Sequence, residues 1–278
     1  MRIPANGQWR LWAVLTEGSV AATAAVLSYL YGLLGPRFAA DNERRVAAGK
    51  RPLTPVKLAA ATLAQAQVQF GVVAALGLRA ARAQGLGAPR LAAWLRGEPA
   101  GLAPGRAAAY AATGVAAGLA AAALHLTVFR SLLARLTAAG VREPGVWQGL
   151  LATFYGAIAE EVLLRLGAQT VIAAGLRRLR GETSRPPTGA TMWPAIALSN
   201  VLFGLGHLPV TRELLPLTPA VVARALALNA VAGVPCGYLY WREGLEAAML
   251  AHGAADLVLH VGGALVQDRL AAAPGETA

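Results

Sequence analysis

The sequence predicts an all-α, polytopic membrane helix bundle of about seven or eight transmembrane helices. Three observations predict it. Hydrophobic residues make up 56% of the 278 positions and charged residues only 14%, where a soluble domain carries about 25% charged residues. Mean hydropathy is +0.50. Apolar runs close to the roughly 20 residues that cross a bilayer recur along the whole chain. Their mass is Ala, Leu, Val and Gly with few aromatics, and such small side chains let membrane helices approach closely.

The candidate spans are 11–34, 56–78, 107–129, 146–176, 192–209, 218–240 and 245–266. The first follows a short segment, Met1 to Arg10. It is too long for a signal-peptide core and lacks a cleavage site, so it reads as a span, with Glu17 at the interface or facing the bundle. The second is the weakest, because Gln65, Gln67 and Gln69 interrupt it. The fourth exceeds a bilayer's thickness and must tilt, kink or project. The fifth is short and opens on Met192-Trp193-Pro194, where tryptophan suits an interface and proline a first helical turn. Linkers at 35–55, 79–106 and 177–191 collect Pro, Gly and Arg, and Leu91 to Arg96, with Trp94, predicts a short amphipathic helix on the membrane.

The net charge of +11 comes mostly from arginines in these connections. The basic residues alternate with apolar spans and form no groove or tail, which favours anchoring on anionic lipid over nucleic acid. They divide almost equally between the two sides, so the positive-inside bias sets no orientation. Cys236 is the single cysteine; it excludes an intrachain disulfide and a thiolate metal cluster, and reads as a packing residue within a span.

Against this background Glu160, Glu161 and Arg165 stand out, because no other charge lies between Gly149 and Leu176. Each charge at the centre of a membrane helix costs roughly 2.5–3.5 kcal/mol on insertion scales. Intramembrane ionisable groups face the protein interior, pair with one another and mark function. Glu161 and Arg165 have the i,i+4 spacing of an intrahelical ion pair, while Glu160 lies about 100° around an α-helix from Glu161. Asn200, Phe203 and His207 share one face of the fifth span. His252 and Asp256 are four apart on the last span, with His260 one turn further. Three late spans thus supply polar groups to one site: Glu160 as general base, His207 orienting a water, the Glu161–Arg165 pair in support, and His252 with Asp256 facing an oxyanion. Asn200 and Phe203 support or pack the site. The structural readings are an ion-pair brace, a core histidine bonded to a carbonyl and a helix-stabilising His252–Asp256 pair; for His125, His260, Glu17 and Asn229 the structural reading is preferred.

Glu160-Glu161-x-x-x-Arg165, Phe203-x-x-x-His207 and His252-x-x-x-Asp256, in this order, resemble the three motifs of the CPBP intramembrane proteases. This is the CAAX protease and bacteriocin-processing (ABI) family, which includes the type II CAAX prenyl endopeptidases. The resemblance covers about 145–265. It implies a metal-independent, glutamate-dependent peptidase in which Glu160 and His207 activate water, Glu161 and Arg165 support the site, and His252 and Asp256 stabilise the oxyanion. The prenyl endopeptidases typically carry Asn at the last position, whereas the wider family also admits Asp; an ionised Asp256 cannot donate to an oxyanion, so it would be protonated by burial or would instead orient His252. The implied organisation is one structural domain: N-terminal membrane helices and basic linkers (1–144), a CPBP-like catalytic core (145–268) and a tail (269–278).

No cofactor is expected. Zinc is the rival, since Glu160, His207, His252 and Asp256 are acceptable ligands, but H-E-x-x-H is absent. The implied partners are a membrane-associated protein or peptide substrate, CAAX-like or a C-terminal sorting tail, and the lipid bilayer. The Arg/Ala-rich composition points to a multi-pass protein of a bacterial inner membrane. The competing functions are an inactive membrane immunity or scaffold protein of the same fold and a proton-coupled transporter, which needs a polar path across the whole membrane.

Overall fold

A computed structural model describes residues 8–138, 140–141 and 144–272. The segment before Gln8 and the end of the expected tail, beyond Ala272, lie outside the described residues. All regular structure among the described residues is helical. Six helices are long and apolar enough to cross a membrane: α1 (Gln8–Ala47), α2 (Pro55–Gln84), a third at Pro104–Thr127, then Gly189–Leu214, Pro219–Glu243 and Leu245–Arg269. A seventh helical run, 146–180, lies between them in sequence and carries the glutamates. The third of these spans is α4 (Pro104–Thr127), and connections add α3 (Pro89–Leu95), where the amphipathic helix is expected, and α5 (Arg130–Ala138).

Several boundaries differ from the apolar pattern. Helix α1 continues for 40 residues through Pro36 into the expected linker, about 60 Å at 1.5 Å per residue and twice a bilayer core. Its end is tied down: Asn42 exchanges two 2.9 Å hydrogen bonds with the backbone of Leu53, and Thr54 caps α2 through the Lys57 amide. The glutamines of α2 do not interrupt it, and Gln67 donates to Glu17 across the α1–α2 contact at 2.9 Å.

The 146–180 run starts as α6 (Val146–Phe154), widens into π-helical turns at Tyr155–Glu160 and Val162–Gln169, and ends as α7 (Thr170–Arg180). The wide turns flank both glutamates, and π turns cluster at functional positions. Helix α8 (Gly189–Gly206) starts earlier than expected, so Pro194 is its sixth residue rather than a first-turn proline. Pro194 cannot bond the Ala190 carbonyl one turn back; the Arg180 guanidinium donates to that carbonyl instead. Then follow α9 (Leu208–Leu214), α10 (Pro219–Glu243), α11 (Leu245–Asp256), a π-helical turn at Leu257–Gly262 and α12 (Gly263–Ala272). Gly244 joins α10 to α11 at φ +99, a region open to glycine, and a side chain there would meet Pro89.

The core is built from small residues. Ala74, Ala159, Val162, Leu166, Leu245, Ala248 and Ala251 pack with Leu15 and Phe70 of the first two helices. Backbone approaches are correspondingly close. A Cβ at Gly114 of α4 would fall 1.9 Å from the Ala251 carbonyl oxygen, and one at Gly118 would fall 2.8 Å from that of Ala255. Gly114 and Gly118 are therefore what seats α4 on α11, the helix that carries His252 and Asp256. The 146–180 run is latched to α10 by Gln169 donating to the Gly237 carbonyl at 3.0 Å and by the Thr170 and Tyr240 hydroxyls at 2.6 Å.

Candidate active site

The three polar groups expected from separate spans converge. Glu161 is fully buried, and its two carboxylate oxygens are used separately. One accepts from Arg165 Nε at 3.3 Å, four residues along the same helix. The other pairs with His252 Nδ1 at 2.8 Å, 91 residues away in sequence. This second contact fixes the imidazole: Nδ1 carries the proton that it donates to the carboxylate, and Nε2 turns towards the remaining groups.

His252 Nε2 lies 3.7 Å from Glu160 Oε2 and 3.6 Å from Asp256 Oδ1. On the other side of Glu160, Oε1 is 4.0 Å from His207 Nε2. Glu160 thus stands between two imidazoles, too far from either for a direct hydrogen bond and close enough to share a water with each. His207 is fixed in turn by its Nδ1, 3.0 Å from the Phe203 carbonyl oxygen, which it meets as a donor, leaving Nε2 as an acceptor facing Glu160.

Burial is graded across the cluster. Arg165 and Glu161 are closed off, Glu160 retains 17% side-chain exposure, and His207, just past the end of α8, retains 42%. The exposed edge of the site is therefore the His207 side. Phe203 packs edge-on against both imidazoles, with ring centroids 4.9 Å from His207 and 5.8 Å from His252.

The other candidates separate. Asn200 is buried; its amide nitrogen donates to the Ile196 carbonyl at 2.8 Å, and its oxygen faces Gly233. His260 meets the Tyr29 hydroxyl at 3.1 Å, and His125 accepts from Arg224 at 3.0 Å, both on other helix contacts. Asn229 bonds the Ala225 carbonyl of its own helix.

Gly156 is a site residue that the sequence reading misses. A Cβ there would lie 1.9 Å from Asp256 Oδ2 and 3.3 Å from His252 Nε2, so its missing side chain makes room for Asp256. The available signal is a glycine one turn before Glu160.

Ligand atoms of Glu161, buried Cys236 and His252 come within 4.8 Å of one another, a grouping of residue types that suits zinc. It fits poorly here, because both oxygens of Glu161 are engaged by Arg165 and His252, and a metal would have to displace a 2.8 Å hydrogen bond.

The bundle and the cluster together define an integral membrane protein with a carboxylate–imidazole site set among its helices. Residues 142–258 match the family model described as type II CAAX prenyl endopeptidase Rce1-like, so this stretch of the chain is similar to that family. The match spans Glu160, Glu161, Arg165, Phe203, His207, His252 and Asp256. No curated protein and no solved structure matches the chain.

Proposed function

We propose that this protein is an intramembrane glutamate-dependent endopeptidase. One observation carries the reading: Glu160, at the partly open edge of a buried cluster, faces the Nε2 atoms of both His207 and His252 at water-bridging distances. The Rce1-like match supports a membrane protease of the CAAX type.

Glu160 acts as general base on a water that also donates to the His207 lone pair. The water oxygen adds to the scissile carbonyl carbon as its proton passes to Glu160. The resulting oxyanion is met by His252 Nε2–H in the imidazolium form, whose other nitrogen is held by the Glu161 carboxylate. Glu160 then returns the proton to the amide nitrogen as the C–N bond breaks, giving a free amine and a carboxylic acid, which loses its remaining proton to solvent. Asp256 serves here through His252, at 3.6 Å, rather than by donating to the oxyanion. No step uses a metal. The substrate is a membrane-associated protein or peptide, CAAX-like or bearing a C-terminal sorting tail, in the inner membrane of a bacterium.

The test begins with comparison of protein C-termini and membrane peptides from cells with and without the protein, to find a cleaved substrate. On that substrate Glu160→Gln and His207→Ala are expected to lower turnover by about 10²–10⁴-fold, the usual contribution of a positioned acid–base group. Metal-stripped wild-type protein keeps its rate. Unchanged cleavage by folded Glu160→Gln protein sinks the proposal, and loss of activity on stripping that zinc restores replaces it with the zinc reading.

A further inference from the structure

Behind the catalytic edge lies a second polar layer that the chemistry above leaves unused. Arg165 is wholly buried, and while its Nε holds Glu161, neither Nη1 nor Nη2 has a hydrogen-bond partner. Asn200 Oδ1 and Gln169 Oε1 are likewise buried and unpartnered, though the amide nitrogens of both side chains are fixed to carbonyls. Two donor groups and two acceptors of this kind would be costly if left apart in an apolar interior.

Two glycines of α10, one turn apart, border them. A Cβ at Gly233 would lie 1.7 Å from Asn200 Oδ1 and 3.2 Å from Arg165 Nη2; one at Gly237 would lie 2.8 Å from Gln169 Oε1. The Asn200 oxygen and the free edge of the guanidinium therefore flank the same point, and that point is where alanine would place a methyl group.

We propose that Gly233 is a positioning residue for the hydrolytic site: the space left by its missing side chain lets Asn200 Oδ1 face Arg165, and Arg165 in turn sets the Glu161–His252 pair. The route is short. Gly233 admits Asn200, Asn200 stands by the guanidinium, the guanidinium holds Glu161 at 3.3 Å, and Glu161 holds His252 Nδ1 at 2.8 Å. A methyl group 1.7 Å from Oδ1 is not accommodated by small adjustments, because Asn200 is itself tied to Ile196 and must turn away. The buried oxygen beside Arg165 is then displaced, and the imidazole loses its fixed orientation. The inference deepens the peptidase reading and rests on it for the consequence in turnover, but the orientation of His252 can be read without any substrate.

The experiment uses full-length protein in detergent micelles, labelled with ¹⁵N on histidine, with the His252 imidazole signals assigned by difference from His252→Gln. Gly233→Ala, Asn200→Ala and the double variant are compared with wild type by nitrogen resonances and by cleavage of a fluorogenic lipidated CAAX-type peptide. In Gly233→Ala the His252 nitrogen signals should move and kcat fall about a hundredfold, the scale of a misplacement of about 1 Å, with KM little changed. Removing the Asn200 side chain takes away the same buried acceptor, so Asn200→Ala should move the His252 signals and lower kcat to a similar extent, and the double variant should be no worse than either alone. Unmoved His252 signals in Gly233→Ala overturn the proposal, as does a double variant whose loss is the sum of the two single losses. Should Gly233→Ala fail to fold, Asn200→Ala decides: shifted His252 signals uphold the link and unshifted ones overturn it. If the wild type leaves the peptide uncut, the nitrogen spectra still decide the positioning claim, and the failure belongs to the proposed activity.

Discussion

The N-terminal helices, up to residue 138, and the Rce1-like stretch, 142–258, contribute to the site in opposite ways. The Rce1-like stretch supplies functional groups: Glu160, Glu161, Arg165, His207, His252 and Asp256 all lie within it. The N-terminal helices supply fit through side chains that are missing. A Cβ at Gly77 of α2 would fall 2.5 Å from the Leu166 carbonyl oxygen, and Gly114 and Gly118 seat α4 on the backbone beside His252 and Asp256. Chemistry requires particular residue types at particular spacings, so it leaves motifs. Close packing requires only smallness opposite a partner, and many sequences meet that demand.

The contrast can be broken from either side. The largest effect is expected in the chemical half. His252→Gln removes the partner of Glu161 and the Nε2 that faces Glu160, and should lower turnover by about 10²–10⁴-fold with the melting temperature in detergent nearly unchanged. A collapse of the melting temperature would instead make His252 a structural brace. Next comes the packing half. Gly114→Val drives a side chain into the Ala251 carbonyl, and overpacking of this kind costs about 1–3 kcal/mol. Both thermal stability and turnover should fall, although no functional group is altered; a variant as stable and active as wild type would show that α4 does not seat α11.

The smallest effect is expected in the loop between α7 and α8. Burial on its own would raise the Glu182 carboxyl, but hydrogen bonds from the Ser184 and Thr191 hydroxyls and from Thr188 outweigh it and bring it down to about 2. A carboxyl depressed on folding adds stability that is complete above its unfolded pKa, near 4.3, and disappears as pH falls towards 2. Glu182→Gln should lower the melting temperature slightly at pH 6 and lose that difference as pH falls to about 2. An equal difference at both pH values would show that the loop does not depend on this charge.

Much of this was legible in the sequence, and the reasons differ by residue. The spans follow from apolar length, and the Glu161–Arg165 pair follows from i,i+4 spacing. The same rule pairs His252 with Asp256, yet the closest partner of His252 is Glu161, 91 residues away. Helical spacing shows which groups share a face and says nothing of what that face meets. Asn200 illustrates the same limit: it shares a stripe with His207 but serves the Arg165 layer, because α10 rather than 146–180 alone lies against it. Pro194 reads as a helix start until Arg180 is seen to take the carbonyl that the proline leaves free.

The wide turns around Glu160 and Glu161 also carry a consequence for the register of the chain. A π turn holds one residue more than an α turn, so a single residue could be deleted between Tyr155 and Gln169 with the helix still unbroken. Such a deletion would instead rotate everything before it against everything after it. Placed between Arg165 and Gln169, it would turn the glutamates and Arg165 out of phase with the Gln169 and Thr170 contacts to α10 while sparing all three motifs. The motifs can therefore be intact in a relative whose site is not, and the length of this helix needs to be compared along with its letters.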